Sequence, residues 1–177
     1  MKIYIIKNSH KGRRIEESIN MVAKIKKELY DEKTESGKIA KQILNKFDLD
    51  KDIIRGLPLS FSDDIDISAK TLDGIISLNK ALLDKSFYII MRYVIHELVH
   101  VCQHIAKEDR KAEKVDLDNY LNDDDEEEAF KWQISFQSET EGQEDVNEYI
   151  DELLEFHKFP KKNRSSKKKE LKEYLGS

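Results

Sequence analysis

One stretch limits what this chain can fold into more than any other: Tyr93-Val94-Ile95-His96-Glu97-Leu98-Val99-His100-Val101-Cys102-Gln103-His104. Its apolar residues recur at helical spacing, so it reads as a helix buried over most of its girth. At about 100° per residue, His100 lies roughly 40° round from His96 and Gln103 roughly 340° round, which makes one narrow polar stripe. Ile90, Val94, Leu98, Val101, Cys102 and Ile105 fill the opposite arc, and there Cys102 reads as packing. Polar groups on a buried helix are costly without partners. Residues four apart sit one turn above each other, so His96 and His100 can aim two imidazole nitrogens at one zinc ion. Glu97 then stands beside the open coordination position, where a general base belongs. Two packed histidines hydrogen-bonded to neighbours would leave the same five letters, His-Glu-x-x-His.

A third ligand decides between these readings. The run Asp123-Asp124-Asp125-Glu126-Glu127-Glu128 precedes an apolar helical pattern through Phe136. Carboxylates at a helix start complement its dipole, and most such runs are solvated caps. The helical wheel singles out one of them. Ala129, Phe130, Ile134 and Phe136 all fall within about 80° of Glu126, which therefore occupies the middle of the apolar face. Glu127 lies at the edge of that face and Glu128 points away, so Glu126 is the expected ligand and Glu128 a substitute. His104 is the other rival, but on an unbroken helix it is about 12 Å along the axis from His96. No glycine or proline breaks the helix there. Three protein ligands leave a fourth position for water, the mark of a catalytic zinc. Tyr120, Tyr149 and His157 are candidates to stabilise an oxyanion, and spacing does not choose among them.

The rest of the chain builds a setting for that helix. Lys2–Lys7 reads as a strand, Ile15 to Leu29 and Ile39 to Phe47 as helices, and Leu57–Ser62, Asp66–Ala69 and Ile75–Asn79 as short strands. Ser86 is the expected N-cap of the motif helix. Ile75–Asn79 is the candidate edge strand against which an extended peptide could dock by strand addition. Lys107–Asn122 reads as loop, anchored by Val115, Leu117, Tyr120 and Leu121, and Glu144–His157 as a final amphipathic helix. With 177 residues the expectation is one domain over 1–160, followed by a basic, mobile tail over 161–177 with a short helix from Leu171 to Leu175. The expected fold class is α+β, a small, mostly antiparallel sheet on the motif helix with further helices on both sides in sequence.

Composition removes several alternatives. No apolar run approaches the ~18 residues of a membrane span, and the N-terminus is too quickly charged for a signal peptide. A single cysteine excludes an internal disulfide and fits a reducing, cytoplasmic setting. The net charge of −5 and the lack of interleaved aromatic and basic residues argue against nucleic acid as the main partner, the basic stretch 161–172 aside.

On these residues the chain resembles the zincins, and within them the gluzincins, whose His-Glu-x-x-His is completed by a glutamate on a later helix. His96-Glu97-Leu98-Val99-His100-Val101-x-Gln103 is similar to the motif of small bacterial and phage minimal zincins. Glu126-x-x-Ala129 is similar to their Glu-x-x-Ala-Asp element, with Phe130 where the aspartate would stand. No methionine turn follows, unlike metzincins. The resemblance covers about Ile75 to Phe136 and implies a zinc metallopeptidase acting on a peptide or protein, with His96, His100 and Glu126 as ligands and Glu97 as base. The alternative expectation is a zincin scaffold with little turnover, serving as an interaction module or phage structural component.

Overall fold

The structure, a computed structural model, describes residues 14–107 and 117–173. The expected strand Lys2–Lys7, the anchor Val115 and Leu175 lie outside those residues. Its elements run α1 (Ile15–Tyr30), α2 (Glu35–Lys46), α3 (Asp52–Arg55), β1 (Leu59–Ser62), β2 (Ala69–Leu72), β3 (Ile75–Asn79), α4 (Phe87–Ala106), α5 (Asp124–Thr140), α6 (Gln143–Phe156) and α7 (Arg164–Leu171). Short 3-10 turns occupy Lys80–Asp84, Leu117–Asn122 and Lys161–Asn163. The class is α+β.

Helix α4 is the axis of the molecule. Ser86 caps it, its hydroxyl accepting from Ile89 N at 3.4 Å. Ile90, Val94, Leu98 and Val101 are buried in one cluster with Ile25 and Leu29 of α1, Ile43 and Leu44 of α2, and Ile76 and Leu78 of β3. Each such side chain contributes about 1.5–3 kcal/mol of burial, so this cluster dominates stability. Cys102 is buried in it as well, and burial, with the charge of Glu128, pushes its thiol up to about 12. It is inert packing.

The sheet corrects two expectations. Its order is β1-β3-β2, with β3 parallel to β1 and antiparallel to β2, so the pairing is half parallel rather than mostly antiparallel. Ile75–Asn79 is the central strand and not an edge. The physical reason lies in its side chains: Ile76 and Leu78 face the core and Asn79 is buried, which leaves β3 needing partners on both sides. Strands β1 and β2 take the outer positions instead, and β2 is joined to β3 by the two-residue turn Asp73-Gly74. Both turn residues have positive φ, 50° and 74°, as a tight hairpin turn requires. A Cβ on Gly74 would meet His104 Cδ2 at 3.0 Å, so the hairpin tip rests on the end of α4.

The basic stretch also departs from expectation. Residues Arg164–Leu171 form a docked helix rather than a mobile tail. Leu171 is fully buried among Leu121, Phe130, Ile134, Val146 and Leu154, in a second cluster on the far side of α5. Lys167 is buried too, its ammonium 2.6 Å from Glu127 Oε2 on α5. One buried leucine, one buried ion pair and a few outer polar contacts thus tie down a segment whose composition alone reads as solvated. Among the described residues no helix is long and apolar enough to cross a membrane.

Candidate metal centre

Helices α4 and α5 pack antiparallel along a polar seam. At one end the fully buried Arg92 of α4 donates from Nη2 to both carboxylate oxygens of Glu141 just after α5, at 2.8 and 2.9 Å. At the other end Gln103 of α4 donates from Nε2 to Asp125 O and to Glu128 Oε2, each at 3.0 Å. These two contacts set the register of α5 on α4. Asp123 starts α5, its Oδ1 accepting from the backbone N–H groups of Asp125 and Glu126 at 3.1 Å each. Register and cap together deliver Glu126 to the middle of the seam, opposite His96 and His100.

The three side chains meet at a point. His96 Nε2 and His100 Nε2 are 3.2 Å apart, and Glu126 Oε2 lies 3.3 Å from each. Donors held about 2.0–2.1 Å from one ion at tetrahedral angles lie about 3.3–3.4 Å apart, so this triangle has the dimensions of three zinc ligands. One buried polar atom reinforces the fit, and a second, on the other nitrogen of His96, does not face the triangle. Glu126 Oε2 is buried with no hydrogen bond of acceptable direction, although it is within ion-pair distance of both imidazoles. His96 Nδ1 is buried with no partner among the described residues, because Phe130 packs edge-on against that ring at 4.5 Å. Two imidazole nitrogens and one carboxylate oxygen are the donor types zinc takes. Among the described residues, no other group of histidine, cysteine or acidic side chains gathers in this way.

Electrostatics bind the triangle across the seam. Burial disfavours charge on His100, but Glu126, Glu97 and Gln103 outweigh it and carry the imidazole up to about 9. Burial pushes the Glu126 carboxyl up, and the imidazoles of His100 and His96 overcome this and hold it well below the usual carboxylate range. Glu97 is buried beside them, and Thr71 of β2 donates its hydroxyl to Glu97 Oε2 at 2.7 Å. The motif glutamate is therefore clamped from the sheet.

The oxyanion candidates separate clearly. Tyr120, in the 3-10 turn before α5, lies near Glu126; burial first, then the charge of Glu126, raises its hydroxyl far above the usual tyrosine value. His157, at the end of α6, stacks on Tyr120 with ring centroids 4.9 Å apart; burial lowers its pKa while the charge of Glu126 opposes that. Tyr149 belongs to a buried network elsewhere, its hydroxyl accepting from Gln133 Nε2 at 2.7 Å and its ring lying under Arg92.

Of the rivals, His104 is exposed beneath the hairpin tip and outside the triangle. Glu128 supports the site from behind by binding Gln103 and Lys46, and Glu127 pairs with Lys131 and Lys167. Sequence reasoning missed Thr71 and Arg92. Arg92 carried a signal, since it continues the polar stripe one turn before His96. A threonine in a strand carries none. No protein-family model, curated protein or solved structure matches the chain significantly.

Proposed function

We propose that this protein is a zinc-dependent peptidase, with His96, His100 and Glu126 as metal ligands and Glu97 as general base. The triangle of donor atoms about 3.3 Å apart supports this most strongly, with Glu97 held one residue from the first ligand. Zinc at such a site polarises a carbonyl oxygen and lowers the pKa of water towards ~7. Glu97 Oε2 accepts from Thr71, which leaves Oε1 to take the attacking water's proton and pass it to the leaving amine. Strand β2 contributes the docking surface: it is one of the two outer strands, its far edge is unpaired among the described residues, and Thr71 links it to Glu97. An extended peptide adding to that edge would run past the base. Of the three candidates, Tyr120, near Glu126, is the one best placed to donate to a developing oxyanion.

The test has two stages. The purified protein should hold one equivalent of zinc, lost in Glu126→Ala and kept in His104→Ala. The zinc-loaded protein should then cleave denatured casein, and Glu97→Gln should slow it by at least about 100-fold. Zinc binding without cleavage would turn the reading to a scaffold that uses its metal for structure. No zinc in the wild type would sink both.

A further inference from the structure

The two ligand histidines are not equivalent. His96 Nδ1 is buried against Phe130 without a partner, whereas His100 Nδ1 lies 2.8 Å from Gln103 Oε1. The orientation of the Gln103 amide is not free. Its nitrogen faces Asp125 O, a backbone carbonyl that can only accept, and Glu128 Oε2, a carboxylate ion-paired with Lys46 of α2. The NH2 group must point at those two acceptors, so Oε1 must point at His100. An amide oxygen can only accept, and His100 Nδ1 must therefore carry its proton. In the neutral ring that leaves the lone pair on Nε2, the nitrogen in the triangle with His96 and Glu126.

Resting on the zinc reading above, we infer that Gln103 is a positioning residue for the metal: it selects the zinc-binding tautomer of His100 and, through the same amide, anchors the helix turn that carries Glu126. The second half follows from Asp125, whose carbonyl takes one Gln103 proton and whose peptide unit leads directly into Glu126. The chain Lys46 to Glu128 to Gln103 to His100 runs from α2 through the start of α5 and across to α4. Three elements thus converge on one imidazole. Gln103 is 3% exposed, so water does not compete for these bonds. A residue that orients one ligand and the backbone beside another acts on the metal twice, and the loss on its removal falls at the upper end of the roughly 10–100-fold range for such partners.

Two measurements on the full chain test this. Zinc affinity is determined by chelator competition for wild type, Gln103→Leu, Glu128→Ala and, as a control outside the site, His104→Ala. Gln103→Leu should weaken zinc by about 30–100-fold, Glu128→Ala by about 3–10-fold, and His104→Ala not at all. Nitrogen-proton correlation spectra of zinc-loaded wild type provide a readout that does not depend on any variant folding. They should show His100 bound through Nε2, with a downfield, slowly exchanging proton on Nδ1, while the Nδ1 proton of His96 lacks that hydrogen-bonded shift. Wild type that takes up no zinc overturns the metal reading, and this inference with it. Wild type that binds zinc while Gln103→Leu binds it equally tightly, or while His100 coordinates through Nδ1, overturns the role of Gln103 alone.

Discussion

Helix α5 looks into two different interiors. On its α4 side, Ala129, Trp132 and Phe136 join the large cluster built mainly from α1, α2, α4 and β3, which is mostly aliphatic and draws on elements far apart in sequence. On its other side, Phe130 and Ile134 join a smaller cluster with α6, α7 and Leu121. The periphery of that smaller cluster is held by ionic and polar contacts, including Lys167 to Glu127, Lys168 to Asp151 and Lys172 to Asn147. His96 and His100 stand on the large cluster and Glu126 on the wall shared with the small one. The difference teaches where the site is soft. On the proposed zinc reading, two ligands stand on the larger core, and the third on an element that the smaller cluster also holds, which is where local opening is expected first.

A core truncation on each side should give the largest contrast. Leu98→Ala, in the large cluster, should lower the unfolding free energy by roughly 2–5 kcal/mol in chemical denaturation, with exchange protection lost throughout. Leu171→Ala should cost less, near the bottom of that range, and raise hydrogen exchange mainly in α7. Equal losses in one shared transition would dissolve the distinction between the clusters.

The next effect lies on the seam. In chelated protein, His100 is held up to about 9 against 6.5 for the ordinary imidazole. A group whose folded pKa is raised stabilises fully below its unfolded value and loses that contribution as pH rises through the folded one. Denaturation midpoints should therefore fall between about pH 6.5 and about pH 9, by on the order of 2–3 kcal/mol in stability. Zinc should flatten this profile, because the ion replaces the proton. A pH-independent midpoint in chelator would mean that Glu126 and His100 do not hold the two sides together.

The smallest effect belongs to the outer contacts. Lys167→Met keeps the aliphatic stem and removes the pair with Glu127, for a loss of about 1 kcal/mol. Trypsin should then cut the α7 segment faster while zinc affinity stays within about twofold of wild type. A large loss of zinc would show that α7 reaches the site through Glu127 after all.

Much of this was written in periodicity. The stripe of His96, His100 and Gln103 marks the buried helix, and the apolar neighbours of Glu126 single out the carboxylate that meets the two histidines, because both follow from 3.6 residues per turn. Spatial order is another matter. Ile75–Asn79 precedes the motif helix directly, yet the strand that reaches Glu97 is β2, since sequence order does not say which strand a sheet puts at its edge. In α7 one buried leucine and one buried lysine stand among so many surface charges that no helical pattern emerges. The role of Glu128 was hidden for a related reason: a wheel shows that it points away from the apolar face, but not that Gln103 and Lys46 wait there.

The placement of all three proposed ligands on two helices consecutive in the chain has a consequence for biosynthesis. His96 and Glu126 are close in sequence, and closing a loop of that size costs little entropy. The ligand set is complete once α5 has been made, before α6 and α7 are translated. If the three residues hold zinc as proposed, a nascent chain can acquire its ion while the outer face of α5 is still bare, and the second cluster then closes over a centre already formed.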